Sequence, residues 1–398
     1  MSLYSLASGN LQQAYRLLNC KDLFRQKAIF KVCDLLSKNE RIGTRAIETF
    51  MQIKPPVIYP KIRDAMFQQF CGGEDLTDLS PYLRSLKLAG INPLVSFGSE
   101  YSTKTEELDQ TKDELMNIID YMKYYNGHAI CKATSIMSSV RLAKVQANET
   151  MGEDETREWA RDVSRMEDVC SYAVKKRVPI YFDGETIDIQ SEIHRRVMEM
   201  MREYNGIGAN GSWDYLHGRE PNVYSTIQFY RKDSLQQLRE LVDDCTKHHY
   251  VAGLKLVRGA YMHDESIAGN RDLLHNTKED TDESYNDGIR FCMEHLGKIG
   301  MLFATHNETS VCLVLKQMED NSIPPRNPFV RIGQMYGMRQ DITFNLHGVC
   351  VTQFIPYGPK DSLFGYLVRR GIENTSALNG SHIEVNKTIR EIQRRIII

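Results

Sequence analysis

Four residues near the C-terminus have the types and spacing to grip an anion. Tyr366, Arg369, Arg370 and Glu373 stand at i, i+3, i+4 and i+7, so a helix over 361–374 carries them on one face. A core-facing stripe would hold Leu or Ile there. This one offers two guanidinium forks, a phenol and a carboxylate. Paired arginines clamp a carboxylate or phosphate bidentately, which lysine does less well. Glu373, one turn on, can pin one of the arginines. The same spacing also suits a solvated face with surface ion pairs, each contributing only about 0–1 kcal/mol.

A second group is Lys255-Leu-Val-Arg258-Gly259-Ala260-Tyr261. In an extended strand Lys255 and Val257 share one face, and Leu256 and Arg258 the other. Arg258 is therefore expected past the last regular residue, where Gly259 lets the backbone turn and approach a ligand closely. Two cations bracketing a strand end suit a polyanionic cofactor, and they also suit an ordinary charged strand end. Lys132, inside the apolar run 129–136, poses a related question. A charged residue within a buried strand must be paired or must meet a ligand.

Other motifs carry less. The run Gly206-Ile-Gly208-Ala-Asn-Gly211 matches G-x-G-x-x-G, but a helical segment precedes it where the dinucleotide fold needs a strand. A loop is the better reading. No P-loop, H-E-x-x-H or G-x-S-x-G occurs. His248-His249, His306 and Asp183-x-Glu185 form no metal-ligand spacing, so no catalytic metal is expected.

The elements that must position these residues are legible as an alternation. The segment 1–90 reads as helical, punctuated by Pro55-Pro56 and Cys71-Gly72-Gly73, and is taken as an N-terminal helical arm. From about residue 94, eight short apolar runs (94–97, 129–136, 179–182, 223–230, 253–257, 301–305, 329–332 and 351–355) alternate with amphipathic stretches. Eight such units over about 280 residues fit an α/β chain closed into a (β/α)8 TIM-like barrel better than an open sheet. The predicted organisation is a helical arm over 1–90, a barrel over 91–378 and a helical tail over 379–398. Active sites of such barrels lie at the C-terminal strand ends. There the sequence places Ser99 and Glu100, Lys132, Asp183 and Glu185, Gln228, Lys255 and Arg258, His306 and Asn307, Gln334 and Tyr357.

Composition narrows the function classes. Fifty Lys and Arg against 52 Asp and Glu give a net charge of −2, without the basic excess of a nucleic-acid binder. No apolar run approaches the ~18 residues of a spanning helix. Nine widely spaced cysteines with no C-x-x-C read as reduced thiols. The N-terminus has no apolar signal region, so a bacterial cytoplasmic setting is expected, with the mitochondrial matrix as the alternative. Arg394-Arg395-Ile-Ile-Ile is basic and apolar, a composition that serves a membrane-surface contact or a packed terminus equally.

Taken together, these residues resemble the proline dehydrogenase (proline oxidase) family. Tyr366-Leu-Val-Arg369-Arg370-Gly-Ile-Glu373-Asn374 is similar to its Y-L-x-R-R-x-x-E-N motif, and Lys255–Tyr261 to its fifth-strand motif. Lys132 before Thr134, Asp183-x-Glu185, Gln228 followed by Tyr230, and Thr305-His306-Asn307 occur in family order. The resemblance covers about residues 90–378 and is weaker in the arm. It implies a distorted (β/α)8 barrel with non-covalent FAD that oxidises L-proline to Δ1-pyrroline-5-carboxylate. A membrane quinone would reoxidise the flavin, placing the protein peripherally at the inner membrane.

Carried over residue by residue, the resemblance implies that Arg369 and Arg370 grip the proline carboxylate, Lys132 adds charge and Glu373 holds an arginine. Tyr366 and Tyr261 would pack on the pyrrolidine ring, and Asp183 would pair with a site cation. Lys255 would sit near flavin N5 and Gln228 at the polar flavin edge. Arg258, Gly259, Ala260, His306, Asn307 and Gln334 would line the rest of the cofactor. Two departures from the family pattern bear on proline against 4-hydroxyproline: Phe354, where many relatives have Tyr, and Met335-Tyr336 before Gly337. With the chain ending at Ile398, a monofunctional enzyme passing its product to a separate pyrroline-5-carboxylate dehydrogenase is expected. The competing readings are a Schiff-base lyase or aldolase using Lys132 or Lys255, and a non-catalytic carboxylate binder.

Overall fold

The computed structural model describes residues 14–38, 40–98, 104–206, 220–346, 348–373 and 381–396. Four helices come first: α1 (Cys20–Ser37), α2 (Glu40–Ile53), α3 (Ile58–Phe70) and α4 (Leu76–Ala89). Pro55-Pro56 separates α2 from α3, and Gly72-Gly73 separates α3 from α4. Asp75 caps α4 by accepting from the backbone N–H groups of Thr77 and Asp78, and Gly90 ends it in the left-handed conformation.

The alternation that follows is β1 (Ile91–Phe97), α5 (Thr105–Tyr125), β2 (His128–Cys131), α6 (Ser139–Gln146), α7 (Glu153–Lys176), β3 (Ile180–Phe182), α8 (Ile187–Tyr204), β4 (Val223–Gln228), α9 (Ser234–Lys247) and β5 (Ala252–Val257). It continues through α10 (Met262–Ile267), α11 (Lys278–Glu294), β6 (Ile299–Ala304), α12 (Glu308–Asp320), β7 (Val330–Met335), α13 (Gln340–Asn345), β8 (Cys350–Tyr357), α14 (Lys360–Glu373) and α15 (Ser381–Ile396). All eight strands are parallel and form one closed barrel in chain order. β8 closes on β1 with Ile91 beside Val351 and Phe97 beside Tyr357.

Strand alternation sends one set of side chains outward to the helices. Ile91, Ala129, Ile180, Ile227, Leu254, Phe303, Ile332 and Val351 join the main core there. The inward set forms layers. At the N-terminal pole Arg331 donates to both oxygens of Glu220 (2.6 and 2.7 Å) and to Asn92 (3.0 Å), and His128 Nε2 meets Glu220 Oε1 at 3.1 Å. Above it lies an apolar layer of Leu94, Ile130, Tyr181, Tyr224 and Leu302, with Phe354 packed against it. Tyr181 and Tyr224 stack at 4.1 Å. The lumen is thus a packed core with an ionic floor.

Burial works against the charge on Glu220, but Arg331 and His128 outweigh it and bring its carboxyl down to about 2. Its folded value lies below the unfolded one of 4.5. The resulting stability is present above the unfolded value and is lost as pH falls through about 2. Arg331→Met leaves Glu220 buried without its main partner and lowers the unfolding free energy by about 3–5 kcal/mol. Urea denaturation checks this, and a loss under 1 kcal/mol would show the floor to be dispensable.

The sequence reading is corrected in one place and narrowed in another. Lys132 lies one residue past β2, before a short 3-10 turn over Ala133–Ser135, and not inside a strand running to 136. At the C-terminus, Arg394 and Arg395 both donate to Glu391, and Arg395 also donates to the carbonyls of Leu18 (2.7 Å) and Tyr15 (2.9 Å). Arg395 therefore belongs to a packed contact between α15 and the start of the arm. The fingerprint-like run beyond Gly206 lies outside the described residues. Among the described residues no helix is long and apolar enough to cross a membrane.

Candidate active site

The C-terminal mouth of the barrel is polar where the layer beneath it is apolar. Asp183 follows β3, Gln228 ends β4, Lys255 sits within β5, and Lys132 follows β2. Lys255 is buried and forms an ion pair with Asp183, a contact that joins β5 to β3 across the mouth. A lysine in a barrel strand is tolerable only with such a partner. Gln228 donates from Nε2 to the carbonyl of Glu185 at 2.7 Å, tying β4 to the β3 loop.

Glu185 is fully buried and accepts from the Thr134 backbone N–H (3.0 Å) and hydroxyl (2.6 Å). Gln190 in turn accepts from the Glu185 backbone N–H at 2.5 Å. Burial pushes the Glu185 carboxyl up, while the charge of Lys132 and the Thr134 hydrogen bonds pull it back. The carboxylate thus fixes the turn that carries Lys132, so this cation is positioned by loop chemistry as well as by its strand.

Arg258 leaves β5 on the helix side of the barrel. It pairs with Asp282 of α11 and donates to Thr305 Oγ1 (2.8 Å) and Ser310 Oγ (2.9 Å), with its guanidinium 4.3 Å from the centre of the Tyr285 ring. Ser310 donates onward to Asn286 at 2.7 Å. Gly259 follows with φ +119, and a Cβ there would lie 1.5 Å from the Tyr230 ring. Only glycine permits this turn. Tyr261 is buried just before α10.

The sequence motif after β6 resolves into a fixed arrangement. His306 Nδ1 meets Gln334 Oε1 at 2.9 Å, and its Nε2 accepts from the Met335 backbone N–H at 3.2 Å. These partners require the neutral tautomer with the proton on Nδ1. Burial, reinforced by Arg339, brings this imidazole down to about 4. Gln334 also donates to the Thr305 carbonyl at 2.5 Å. Asn307 caps α12, accepting from the Ser310 backbone N–H at 3.2 Å.

The arginine motif lies on α14, whose backbone puts positions 366, 369, 370 and 373 on one face; their side chains, like residues 99 and 100, lie outside the described residues. The helix is anchored through Leu363 and Leu367, which pack against Phe67 and Cys71 of the arm. Sequence reasoning missed the second ring of groups: Gln190 behind Glu185, and Asp282, Tyr285 and Asn286 behind Arg258. The last three were detectable as an i, i+3, i+4 set on α11.

Comparison with known proteins agrees with this architecture. The family model for proline dehydrogenase matches residues 81–382. The carbapenem antibiotics biosynthesis protein CarD of Pectobacterium carotovorum subsp. carotovorum is 28% identical over 376 residues, covering 92% of this chain and 94% of its own. The mitochondrial proline dehydrogenase 1 of Arabidopsis thaliana is 25% identical over 450 residues, covering 97% and 88%. Among solved structures, proline utilization A (PutA) of Bdellovibrio bacteriovorus, inactivated by N-propargylglycine, superposes with a TM-score of 0.69 at 19% identity. That match covers 88% of this chain and 37% of the much longer PutA chain, and it reflects the fold. By the extent of the family match, the chain belongs to the proline dehydrogenase family.

Proposed function

We propose that this protein oxidises L-proline to Δ1-pyrroline-5-carboxylate with bound FAD and passes the electrons to a membrane quinone. The observation that carries the reading is the polar mouth of Lys132, Asp183, Gln228 and Lys255, set on an apolar lumen in a chain of this family. The donor set fits a flavin dinucleotide. Lys255 and Arg258 bracket one strand end and bring two cations to the turn at Gly259.

When bound, FAD supplies the hydride acceptor that no side chain here can provide. The chain's own residues do the rest. Arg369 and Arg370 clamp the substrate carboxylate, with Lys132 adding charge and Glu373 steadying a guanidinium. This orientation presents C5 of the ring to the acceptor. Tyr261 and Tyr366 pack on the ring and exclude water. Asp183 pairs with the Lys255 ammonium, a cation that would favour negative charge on a flavin bound beside it. Gln228, His306, Asn307 and Gln334, already fixed by hydrogen bonds to one another or to nearby backbone, form a preorganised wall.

The test is a visible spectrum of the purified protein followed by anaerobic L-proline. Flavin bands that bleach with proline, and more weakly with 4-hydroxyproline, bear the proposal out. A colourless protein that FAD cannot reconstitute, trapped by borohydride with substrate, moves the function to a lysine-based lyase. Activity is also expected to rise through weakly alkaline pH, because the substrate amine must shed its proton before an iminium can form. A flat profile from about pH 6 to 9 counts against amine-controlled hydride transfer.

A further inference from the structure

We infer that the turn joining α2 to α3 is a docking surface for an anionic phospholipid bilayer. Buried side chains dominate the barrel, but this turn reverses the pattern. Ile53, Val57, Ile58 and Ile62 are 66%, 68%, 53% and 40% exposed. Scattered apolar residues on a surface need no explanation, but here four exposed ones fall within ten positions around a single turn.

Charge supplies the second observation. Lys54 and Lys61 are exposed within the same ten residues. No acidic residue occurs from Thr49 to Arg63. Lys61 makes no ion pair with any described residue. Between residues 14 and 70, eleven Lys and Arg stand against five Asp and Glu, in a chain whose net charge is −2. Apolar side chains flanked by lysines match a bilayer interface. The apolar groups enter the acyl boundary, while the long lysine stems keep their ammonium groups at the anionic headgroups.

Position supplies the third. Lys54 lies over the Tyr59 ring at 5.8 Å, and Tyr59 meets Phe364 of α14 edge-on at 5.4 Å. The turn therefore sits one aromatic contact away from the helix that carries Arg369 and Arg370. Lipid contact rests on this surface alone. Only its purpose, bringing the barrel mouth to a lipid-soluble electron acceptor, rests on the oxidative reading.

Vesicle flotation of the full chain tests the surface. Vesicles are phosphatidylcholine alone, or phosphatidylcholine with about one-third phosphatidylglycerol to set a negative surface potential. The wild type is expected to float with the anionic vesicles at low salt, not with the neutral ones, and to release at about 1 M salt. Lys54→Gln/Lys61→Gln should weaken partitioning by roughly fivefold per lysine. Val57→Ser/Ile58→Ser should weaken it by at least about tenfold. Both variants should keep the wild-type thermal midpoint and their turnover with a soluble dye acceptor.

Flotation that is unchanged in both variants, or absent in the wild type at low salt, overturns the inference. So does a concentration-dependent dimer that the variants lose, which would assign the patch to a second copy of the chain. Failure of the oxidative reading is distinguishable, because it appears as a flavin that proline does not bleach while flotation persists.

Discussion

Replacing Arg370 or Arg369 with methionine is expected to lower kcat/KM for L-proline by about 30- to 1,000-fold, equivalent to roughly 2–4 kcal/mol. The loss should appear mainly as a raised KM. A planar guanidinium supplies two parallel hydrogen bonds to a carboxylate, and methionine fills similar volume with none. Lysine should restore only part of the effect, because a point charge lacks the fork. The helix itself is expected to stay in place. Among the described residues of the helix, Leu363, Phe364 and Leu367 are buried and anchor it, and neither substitution touches them. Flavin affinity, measured by equilibrium titration, should therefore change far less than KM. A KM within about threefold of wild type would show the clamp to be misassigned.

The second large effect is expected from Lys255→Ala. This change removes a cation from the interior of a barrel strand and leaves Asp183 facing the mouth without its partner. The rate of flavin reduction by proline should fall by at least about 100-fold, near 3 kcal/mol of barrier. The visible spectrum should shift as well, since on this placement a neutral ion pair beside the cofactor becomes a lone negative charge. Asp183→Asn should weaken both readouts by way of the lysine it positions. The double variant should fall short of the summed single effects, because the two side chains act as a unit. An unchanged spectrum together with an unchanged reduction rate rules out the placement of Lys255 at the acceptor.

These expectations rest on what the sequence made legible and on what it hid. The eight strands were readable because parallel strands buried on both faces appear as short apolar runs, and helices between them keep a 3.6-residue period. Lys255 was noticed because a cation in such a run is costly. Lys132 was misplaced by one element, since Ala133-Thr-Ser-Ile continues the apolar texture of β2 into what is a 3-10 turn. The ionic floor went unread. His128, Glu220 and Arg331 are 92 to 203 residues apart and no local spacing connects them. The role of Glu185 as the brace of the Lys132 turn was equally hidden, because a buried carboxylate and a solvated one look alike in a sequence. Which of its two open roles Arg395 takes was hidden for the same reason: it donates to backbone carbonyls at Tyr15 and Leu18, at the other end of the chain.

The pairing of β1 with β8 also dictates how the chain must be made. Ile91 finds Val351 only after 260 further positions have been synthesised. At about 5–20 residues per second, one edge of β1 waits on the order of tens of seconds for its last neighbour. An unpaired strand edge of Leu, Val and Phe is a template for intermolecular association during that interval. The arm helix α1 waits longer still, because its principal partner is α15, the final helix described. Recombinant yield should therefore depend on translation speed and chaperone supply more than on the stability of the finished barrel.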